Sequence, residues 1–361
     1  MDSFWLNAAF YQAKVAQGST AHNPAVGCVI VNKNKIVGVG HTSKGGRPHA
    51  EENALNMAGK KSKGSALYVT LEPCNLVDNI NSCSNLIIRS GISKVVMPNL
   101  DANKETLKRG YDALTNAGIK VKIINTNPAN FLFNYSHYLY HKKKRPMITL
   151  KLATSADSKI TYQNGKSKWI TSKISRNHVH QLRSINDAIL VGSNTVEKDN
   201  PTLNTRIKGY RDKKYRIILD KDLKIKIDSN LVRTIKANPL IIFTRKKYHF
   251  KKYKILEGMG AKIIGVALEN TGQLSLQDIV HNIHKLRIQK LLVEGGAQIA
   301  TSFIEAGLVD LIYNYRSDKF IGNGGLHLFD KIACNNKFRI FAEKRLNLDK
   351  LEIWINKNIN F

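Results

Sequence analysis

The sequence has few cysteines, no long apolar run and few acidic residues, and each shortage excludes a class of protein. Four cysteines in 361 residues do not form a disulfide framework, and a cytosolic protein keeps its thiols reduced. No segment approaches the roughly 20 apolar residues that a membrane-spanning helix needs. The N-terminal stretch MDSFWLNAAFYQAK lacks the basic start and long apolar run of a signal peptide. We therefore expect a soluble, cytoplasmic protein without a membrane partner.

The shortage of acidic residues leaves a strong positive charge. Asp and Glu number 27 against 57 Lys and Arg, so the net charge is +30. Lys and Arg neutralise nucleic-acid phosphates, so this charge would suit a nucleic-acid partner. The lysines are however spread along the whole chain beside many Asn and Ile residues, as the codon bias of a genome rich in A and T would produce. Because net charge governs solubility rather than fold, we favour a protein without a nucleic-acid partner.

The first 125 residues alternate between strand and helix patterns. Short strand patterns occur at 25–31, 35–41, 65–72, 93–99 and 119–125. Between them, apolar residues recur at helical spacing at 4–17, 49–60, 82–91 and 105–118. Such interleaving predicts a layered α/β domain whose far side is largely parallel. An aromatic-rich helix and a basic run that ends at Pro146 mark the predicted boundary between domains 1–145 and 146–361.

A second series of strands and helices follows Pro146. Strand patterns lie at 146–153, 187–192, 215–220, 239–244, 261–266 and 290–296, and helical patterns at 172–184, 275–287 and 297–307. The hydrophobic fraction of 42% suffices for packed cores. A chain of this length is comfortable for two domains, so we predict two α/β domains of unequal size.

Three residues of the first domain have the side chains of a zinc site. Cys74 and Cys83, with eight residues between them, could be a disulfide, two buried thiols or two metal ligands. His49 lies at the predicted start of a helix. Cys74 follows a strand and is expected at the start of another helix, whose N-terminus favours a thiolate. Catalytic zinc uses three such ligands and keeps one position for water. We therefore predict that His49, Cys74 and Cys83 bind zinc; the alternative is a surface histidine and two unrelated thiols.

Glu51, two residues after His49, is a nearby carboxylate that is not one of the predicted zinc ligands. Zinc lowers the pKa of its bound water, and a nearby Glu that is not a ligand can take that proton and pass it to a leaving amine. Zinc deaminases combine H-x-E with P-C-x-x-C in this way, whereas this chain has H-A-E and P-C-x8-C. Glu51 is therefore the predicted catalytic residue. Cys28, in the apolar strand VGCVIVN, is most simply a buried thiol.

These motifs resemble those of the bifunctional deaminase/reductase family of riboflavin biosynthesis. In the first half the resemblance rests on NPAVGCVIV, PHAEENAL and TLEPC, followed by the second cysteine at the wide spacing. In the second half it rests on ITLKLATSAD, GKSKWITS, DAILVGSNTVEKDNPTLNTR and VEGGAQIATSFIEAGLVD. The resemblance implies an N-terminal cytidine-deaminase-like α/β/α sandwich and a C-terminal dihydrofolate-reductase-like α/β domain.

The resemblance also implies two consecutive reactions on one small phosphoribosyl-pyrimidine. The first domain, with zinc, would hydrolytically remove an amino group from 2,5-diamino-6-(5-phosphoribosylamino)pyrimidin-4-one. The second domain would use NADPH to reduce the ribosyl side chain to ribityl. Members of such a family often assemble as dimers or tetramers, so a homo-oligomer is expected.

Further site residues are assigned by motif match to the family. Asn23 would contact the pyrimidine in the first domain. The NADP site would be lined by Ala153, Trp169, Thr195, Asp199 and the segment from Gly296. The substrate of the second domain would be contacted by Lys151, Ser167, Arg183, Leu203, Arg206 and Glu294.

Two of these assignments also make physical sense without the family. ILVGSNTVEKD and LLVEGGAQIA each have the pattern of a strand, a glycine turn and a helix, whose N-terminal N–H groups suit dinucleotide phosphates. Arg183 and Arg206 suit a ribose phosphate because a guanidinium is permanently charged and bidentate. The alternative for each is an ordinary surface arginine.

The chain departs from the family pattern at several positions. Between the two cysteines the family carries a His and an Arg, whereas this chain has NLVDNINS. Thr42 stands where the family usually has His, and Ser158 where it has Gly. These departures spare the predicted zinc ligands and bear on pyrimidine recognition.

Three hypotheses about function remain. The first is the two-step enzyme. The second is a nucleic-acid base deaminase of the tRNA type that uses the positive charge. The third is a reductase with an impaired deaminase domain, or a scaffold that binds zinc and nucleotide without turnover. The wide cysteine spacing and the reductase-like second half favour the two-step enzyme.

Overall fold

The chain divides into two compact units. The computed structural model describes residues 1–75, 81–162, 169–210, 213–246, 250–327 and 337–360. The units are Met1–Arg145 and Pro146–Asn360. In the described part of the chain no helix is long and apolar enough to cross a membrane.

In the described residues the first unit has one five-stranded sheet in the order β2-β1-β3-β4-β5. Its strands are β1 Gly27–Asn32, β2 Lys35–His41, β3 Ala66–Val69, β4 Lys94–Met97 and β5 Lys120–Ile123. Its helices are α1 Asp2–Ala16, α2 Ala50–Ala58, α3 Cys83–Arg89, α4 Arg109–Asn116 and α5 Pro128–Tyr138. Strand β1 runs antiparallel to β2 and β3, while β3, β4 and β5 are parallel. The predicted parallel far side is therefore present.

Residues of β1 alternate between two helical layers. Cys28 and Ile30 face the cluster that contains α2 and α3 residues, whereas Val29 and Val31 face the cluster that contains α1 residues. This period of two is what a strand buried on both faces requires. The first unit is an α/β/α sandwich, as predicted.

Helix α2 lies directly against β2, and a glycine permits the approach. A Cβ atom at Gly40 would lie 2.2 Å from the carbonyl oxygen of Ala50, the first residue of the helix. Any side chain at position 40 would therefore push away the helix that begins next to His49. The glycine pattern of β2 thus places the metal-ligand motif beside the sheet.

The predicted helix over 105–118 begins too early. Helix α4 begins at Arg109, because Lys108 adopts a left-handed conformation with φ of +65°. The backbone N–H groups of Lys108 and Tyr111 donate to the buried carboxylate of Glu72, at 3.0 Å each. The Glu72 side chain, from a distant part of the sequence, therefore binds N–H groups at the start of this helix. Local periodicity does not reveal such a contact, so it could not predict where the helix begins.

In its described part, the second unit has a nine-stranded sheet in the order β11-β10-β9-β8-β12-β6-β13-β16-β15, and β7 pairs with β14 in a small sheet of their own. Its strands are β6 Met147–Thr154, β7 Lys159–Tyr162, β8 Ala188–Gly192, β9 Tyr215–Leu219, β10 Leu240–Arg245, β11 Lys262–Val266, β12 Lys290–Val293, β13 Leu311–Arg316, β14 Gly325–His327, β15 Phe338–Leu346 and β16 Asp349–Asn356. Its helices are α6 Lys173–Ile185, α7 Ser193–Asp199, α8 Asn230–Arg233, α9 Phe250–Gly258, α10 Leu276–Lys285 and α11 Ala297–Glu305.

The pairing from β11 to β13 is parallel, and the hairpin of β15 and β16 joins it antiparallel. The six predicted strands and three predicted helices of this half are present. The sequence analysis missed the terminal hairpin, because β15 carries charged, exposed residues at an edge and its alternation is weak. It also missed strands β7, β13 and β14 and the short helices α8 and α9.

The hairpin nevertheless caps a helix of the site. The carboxylate of Asp349, the first residue of β16, accepts hydrogen bonds from the backbone N–H of Ser172, at 2.8 Å, and from the hydroxyl of Ser175. Both donors lie at the start of α6. A negative charge at this position stabilises the helix dipole.

Ser158, which replaces the family's glycine, lies in the turn between β6 and β7 with φ of +61°. A side chain in this left-handed region is strained by about 1–2 kcal/mol. Glycine relieves this strain, but it also increases the conformational entropy of the unfolded chain, which cancels part of the gain in stability. We expect Ser158→Gly to stabilise the second unit by about 1 kcal/mol and raise its Tm by about 2–4 °C. Ser302→Gly, the same change inside α11, is the control and should destabilise by about 0.5–1 kcal/mol. Equal shifts of Tm for the two variants would contradict the strain at Ser158.

Candidate active sites

Three side chains of the first unit converge on one point. His49 is the residue before α2, Cys83 is the first residue of α3, and Cys74 lies in the loop after β3. Nδ1 of His49 is 3.3 Å from Sγ of Cys83 and 3.6 Å from Sγ of Cys74. The three ligand atoms all lie within 4.8 Å of one another, and no other group of His, Cys, Asp and Glu in the described ranges does so. Two sulfurs and an imidazole are the donor set that zinc prefers.

Cys74 is not at the start of a helix, so this part of the prediction is wrong. The helix N-terminus beside it belongs to α3, whose first residue is Cys83. A hydrogen bond from the Cys83 thiol lowers the pKa of Cys74 to about 4, against the effect of burial and with further help from His49 and the backbone N–H of Cys83. The charge of a Cys74 thiolate is therefore stabilised mainly by side chains.

Glu51 lies beside this cluster and is buried. Its side chain is in the first turn of α2, and the residue is 3% exposed. Burial raises the pKa of Glu51 to about 7; the charge of His49 opposes this shift and that of Cys74 adds to it. A carboxyl group with a pKa near neutrality can both accept and donate a proton, which is what a proton shuttle requires.

The other predicted residues of the first unit support the loops around the cluster. A Cβ atom on Gly46 would lie 2.0 Å from Nδ2 of Asn23, so Asn23 packs against the segment that leads to His49. Thr42 accepts a hydrogen bond from Val26 N–H at 2.9 Å and donates one to the carbonyl of Pro24 at 3.1 Å. The residue that replaces the family's His thus anchors the loop that carries Asn23. Of the altered stretch NLVDNINS, residues 76–80 lie outside the described residues.

Glu72 is a residue of this region that the sequence analysis missed. Its buried carboxylate accepts three backbone hydrogen bonds, from Asp101 at 2.8 Å and from Lys108 and Tyr111 at 3.0 Å each. Glu72 thereby ties the chain just before Cys74 to the start of α4. Its place in TLEPC, two residues before a ligand, was the available signal. Cys28 is 0% exposed, and burial raises its pKa well above the usual range; it is the buried thiol predicted.

In the second unit, Arg183 of α6 and Glu294, just after β12, form a bidentate ion pair. Nε and Nη2 of Arg183 donate to the two carboxylate oxygens of Glu294 at 2.6 and 2.8 Å. Nη1 of Arg183 donates to the carbonyl oxygen of Asn204 at 2.9 Å. The Arg183 and Glu294 side chains are only 13% and 9% exposed, so Arg183 is not an ordinary surface arginine.

Lys151 of β6 completes this cluster. Burial lowers the pKa of Lys151; Glu294 opposes that shift and Arg183 adds to it. Burial acts to raise the pKa of Glu294, but the charges of Arg183 and Lys151 hold it below its usual value. The cluster sets two basic side chains, Arg183 and Lys151, against the single carboxylate of Glu294, which suits an anionic ligand.

Arg206 is held by His180, which the sequence analysis also missed. The backbone N–H of Arg206 donates to Nδ1 of His180 at 3.3 Å, and its guanidinium Nε is 3.2 Å from Nε2. Burial, followed by the charges of Arg183 and Arg206, lowers the pKa of His180 and keeps the ring neutral. His180 and Arg183 are three residues apart on α6 and so share a face; that spacing in NHVHQLRS was the available signal.

Three of the predicted cofactor residues, Ala153, Thr195 and Gly296, lie at or just after the ends of β6, β8 and β12. Thr195 is in α7, which follows β8, and Gly296 directly precedes α11, which follows β12. A Cβ atom on Gly192 would lie 3.0 Å from Ile299, so the two helices begin side by side. Asp199 is exposed at the end of α7, and Ala153 is in β6. Leu203 is 3% exposed, and the guanidinium of Arg176 lies 4.6 Å from the centroid of the Trp169 ring. Ser167 is outside the described residues.

Comparison with known proteins finds a matching family for each half of the chain. A family model for the RibD C-terminal domain matches residues 146–357, and one for the cytidine and deoxycytidylate deaminase zinc-binding region matches residues 1–98. The riboflavin biosynthesis protein RibD of Aquifex aeolicus is 39% identical over 324 residues, which are 90% of this chain and 89% of that protein. The chain belongs to the RibD family.

Solved RibD structures extend the similarity to the whole fold. RibD from Acinetobacter baumannii is 27% identical and superimposes with a TM-score of 0.87 over 99% of each chain. A structure from Thermotoga maritima, described as a diaminohydroxyphosphoribosylaminopyrimidine deaminase/5-amino-6-(5-phosphoribosylamino)uracil reductase, is 30% identical with a TM-score of 0.82 over 98% of each chain. The predicted family, the fold class, the bifunctional deaminase and reductase activity and the zinc cofactor are confirmed.

Proposed function

We propose that residues 1–145 deaminate 2,5-diamino-6-(5-phosphoribosylamino)pyrimidin-4-one and that residues 146–361 then reduce its ribosyl side chain to ribityl. The observation that carries this proposal is the buried Glu51 beside the cluster of His49, Cys74 and Cys83. Its support in the second unit is the cluster of Lys151, Arg183 and Glu294. A small phosphorylated pyrimidine needs both a proton shuttle and a cationic pocket.

In the first unit, His49, Cys74 and Cys83 would hold zinc and leave Glu51 free to move protons. Zinc, when bound, makes water a nucleophile near neutral pH. Glu51 would carry a proton from the attacking water to the departing amino group, so that ammonia leaves as a neutral molecule. The near-neutral pKa of Glu51 matches both transfers. Asn23, on the loop held by Thr42, would orient the pyrimidine.

In the second unit, NADPH, when bound, supplies the hydride. The N–H groups that begin α11 at Gly296 suit its phosphates, and Ala153, Trp169, Thr195 and Asp199 would complete the cofactor site. Arg206 and the cluster of Lys151, Arg183 and Glu294 would hold the phosphorylated substrate, with Ser167 and Leu203 beside it. Bidentate guanidinium groups are matched to phosphate geometry.

The cellular context belongs to the same proposal. Ligation of zinc needs reduced thiols at Cys74 and Cys83, which favours the cytoplasm. A small-molecule substrate needs no nucleic-acid partner, so the +30 charge is a property of the surface. By resemblance to the family, we propose a homo-oligomer.

The test is mass spectrometry of the diamino substrate incubated with the zinc-loaded protein, with and without NADPH. We expect deamination alone without NADPH, and deamination followed by reduction with it. Deamination would show that NLVDNINS is a tolerated loop. Reduction of supplied deaminated substrate without deamination would instead leave a reductase with an impaired first domain, because the family's His and Arg are missing from that loop.

A further inference from the structure

Arg216, in the middle of β9, is a fully buried cation. It is 0% exposed, and none of the ion pairs formed by the described residues includes it. Its charge is instead surrounded by oxygens. Nη1 donates to the Thr202 carbonyl at 3.2 Å and to the Thr234 hydroxyl at 2.6 Å. Nη2 donates to the carbonyls of Leu231 at 3.0 Å and Asn238 at 2.5 Å.

Burying such an arginine lowers the stability of the fold. A desolvated charge without a counter-ion is destabilising, and an apolar side chain would fill the same position at less cost. Burial lowers the pKa of Arg216 to about 10, so it remains protonated at neutral pH. Nε of Arg216 has no hydrogen-bond partner. What the guanidinium achieves is to join β9 to two other parts of the chain, the stretch NPTLNTR and the segment 231–238.

That stretch contains a strained residue. Leu203 has φ of +49° and is 3% exposed, although the left-handed region is unfavourable for a bulky side chain. Such strain persists only where the surroundings impose it. The residues on both sides of Leu203 are fixed by buried guanidinium groups: Arg216 binds the carbonyl of Thr202, and Arg183 binds that of Asn204.

We propose that Arg216 is a positioning residue of the reductase site: it fixes the Thr202 carbonyl so that the strained turn at the buried Leu203 places Arg206 at the substrate. This inference rests on the proposed function for the role of residues 203–206. The placement of residues 200–206 by Arg216 does not depend on the proposed function, because it can be measured in the protein without substrate.

The hydroxyl of Thr234 allows a mild test. Thr234→Val removes the acceptor that faces Arg216 with little change in volume, and Thr234→Ser, the matched control, keeps the hydroxyl. Arg216→Met is the stronger variant. Amide hydrogen exchange of the ligand-free proteins reports on peptides that span residues 200–206, with the peptide of α10 as internal reference. We expect Thr234→Val to speed exchange in 200–206 by about 10-fold, as for the loss of one hydrogen bond to a charged group, with α10 unchanged and Thr234→Ser like wild type.

Steady-state kinetics of the reductase step then separates positioning from simple destabilisation. With deaminated substrate and NADPH, measured well below Tm, we expect Thr234→Val to raise the KM for the pyrimidine about 10-fold and to leave kcat and the KM for NADPH within about twofold. Arg216→Met should do the same more strongly.

Unchanged exchange in 200–206, or equal effects of Thr234→Val and Thr234→Ser, would overturn the inference. Faster exchange with an unaltered pyrimidine KM would also overturn it, since the loop would then be held for stability alone. If the wild-type protein does not reduce the substrate, the proposed function fails, while faster exchange in 200–206 still supports the placement of the loop by Arg216.

Discussion

Replacing Glu51 with Gln is expected to reduce deamination about 10³-fold while reduction of the deaminated substrate continues at the wild-type rate. Gln has the volume of Glu and can fill the same buried position in α2, but it cannot accept and return a proton. Because Glu51 is not among the three residues whose ligand atoms converge, we expect the zinc content of the variant to equal that of wild type. The measurements are product analysis for each step and metal analysis of the purified protein.

Two variants make this result specific to the proton shuttle. Glu52→Gln is the same chemical change at the next position of α2 and should leave both activities unaltered. Cys74→Ser should lose zinc together with deamination, because it removes a ligand. If Glu51→Gln lost zinc as Cys74→Ser does, Glu51 would be a ligand and a different residue would have to move the proton.

Replacing Glu294 with Gln is expected to lower the free energy of unfolding of the second unit by about 3 kcal/mol, as for other broken buried ion pairs. The change leaves Arg183 and Lys151, both largely buried, without their shared counter-charge. Gln retains one hydrogen-bond acceptor for Arg183, which places the loss at the lower end for such pairs. Reduction should fall at least about 100-fold, since the cluster holds the substrate, while deamination is retained.

The pH dependence of this loss follows from the pKa of Glu294, which Arg183 and Lys151 hold below its usual value despite burial. A carboxyl group with a lowered pKa in the folded state contributes stability above its unfolded pKa, about 4.3, and the contribution is lost as pH falls through the folded pKa. Denaturant unfolding should therefore show the largest difference between wild type and Glu294→Gln at neutral pH, shrinking in acid.

An exposed ion pair of the same unit provides the control. Nη2 of Arg245 is 3.3 Å from Oδ1 of Asp222, with the two side chains 47% and 31% exposed. Asp222→Asn should cost no more than about 0.5 kcal/mol, because solvent screens such pairs. If both variants lost the same stability, or if the loss in Glu294→Gln did not depend on pH, the charge of Glu294 would not be what stabilises the cluster.

Most elements that bury one face or both were predictable from local sequence. The alternation in VGCVIVN and the apolar run in DAILVG reflect strands whose side chains enter a core, and the glycines after AEENALNMA and IATSFIEA end helices α2 and α11. The elements that were misplaced, and the terminal hairpin that was missed, are determined by contacts with residues far away in the sequence. Helix α4 starts late because Glu72 binds its first N–H groups, and the hairpin of β15 and β16 gains its place by pairing with β13 and capping α6.

The same division applies to the sites. The three side chains that converge, those of His49, Cys74 and Cys83, were grouped from the sequence because Cys and His are infrequent and have specific metal-binding chemistry. The sequence analysis attributed a thiolate at Cys74 to a helix that begins at Cys74, whereas the hydrogen bond from the Cys83 thiol is the main favourable cause of its lowered pKa. His180 and Glu72 were overlooked because each acts through a hydrogen bond to backbone from a distant part of the chain.

By itself, then, the sequence determined the two α/β halves, the family and the chemical identity of the candidate catalytic groups, because periodicity and short motifs are local. Only the tertiary structure decided how those groups are paired and charged. Arg183 and Glu294 are 111 residues apart and meet because α6 packs near the end of β12. The pKa of Glu51, the strained turn at Leu203 and the hydrogen bonds of Arg216 likewise depend on burial and on residues that are distant in the sequence. Desolvation and long-range hydrogen bonding are created by packing, and no local pattern encodes them.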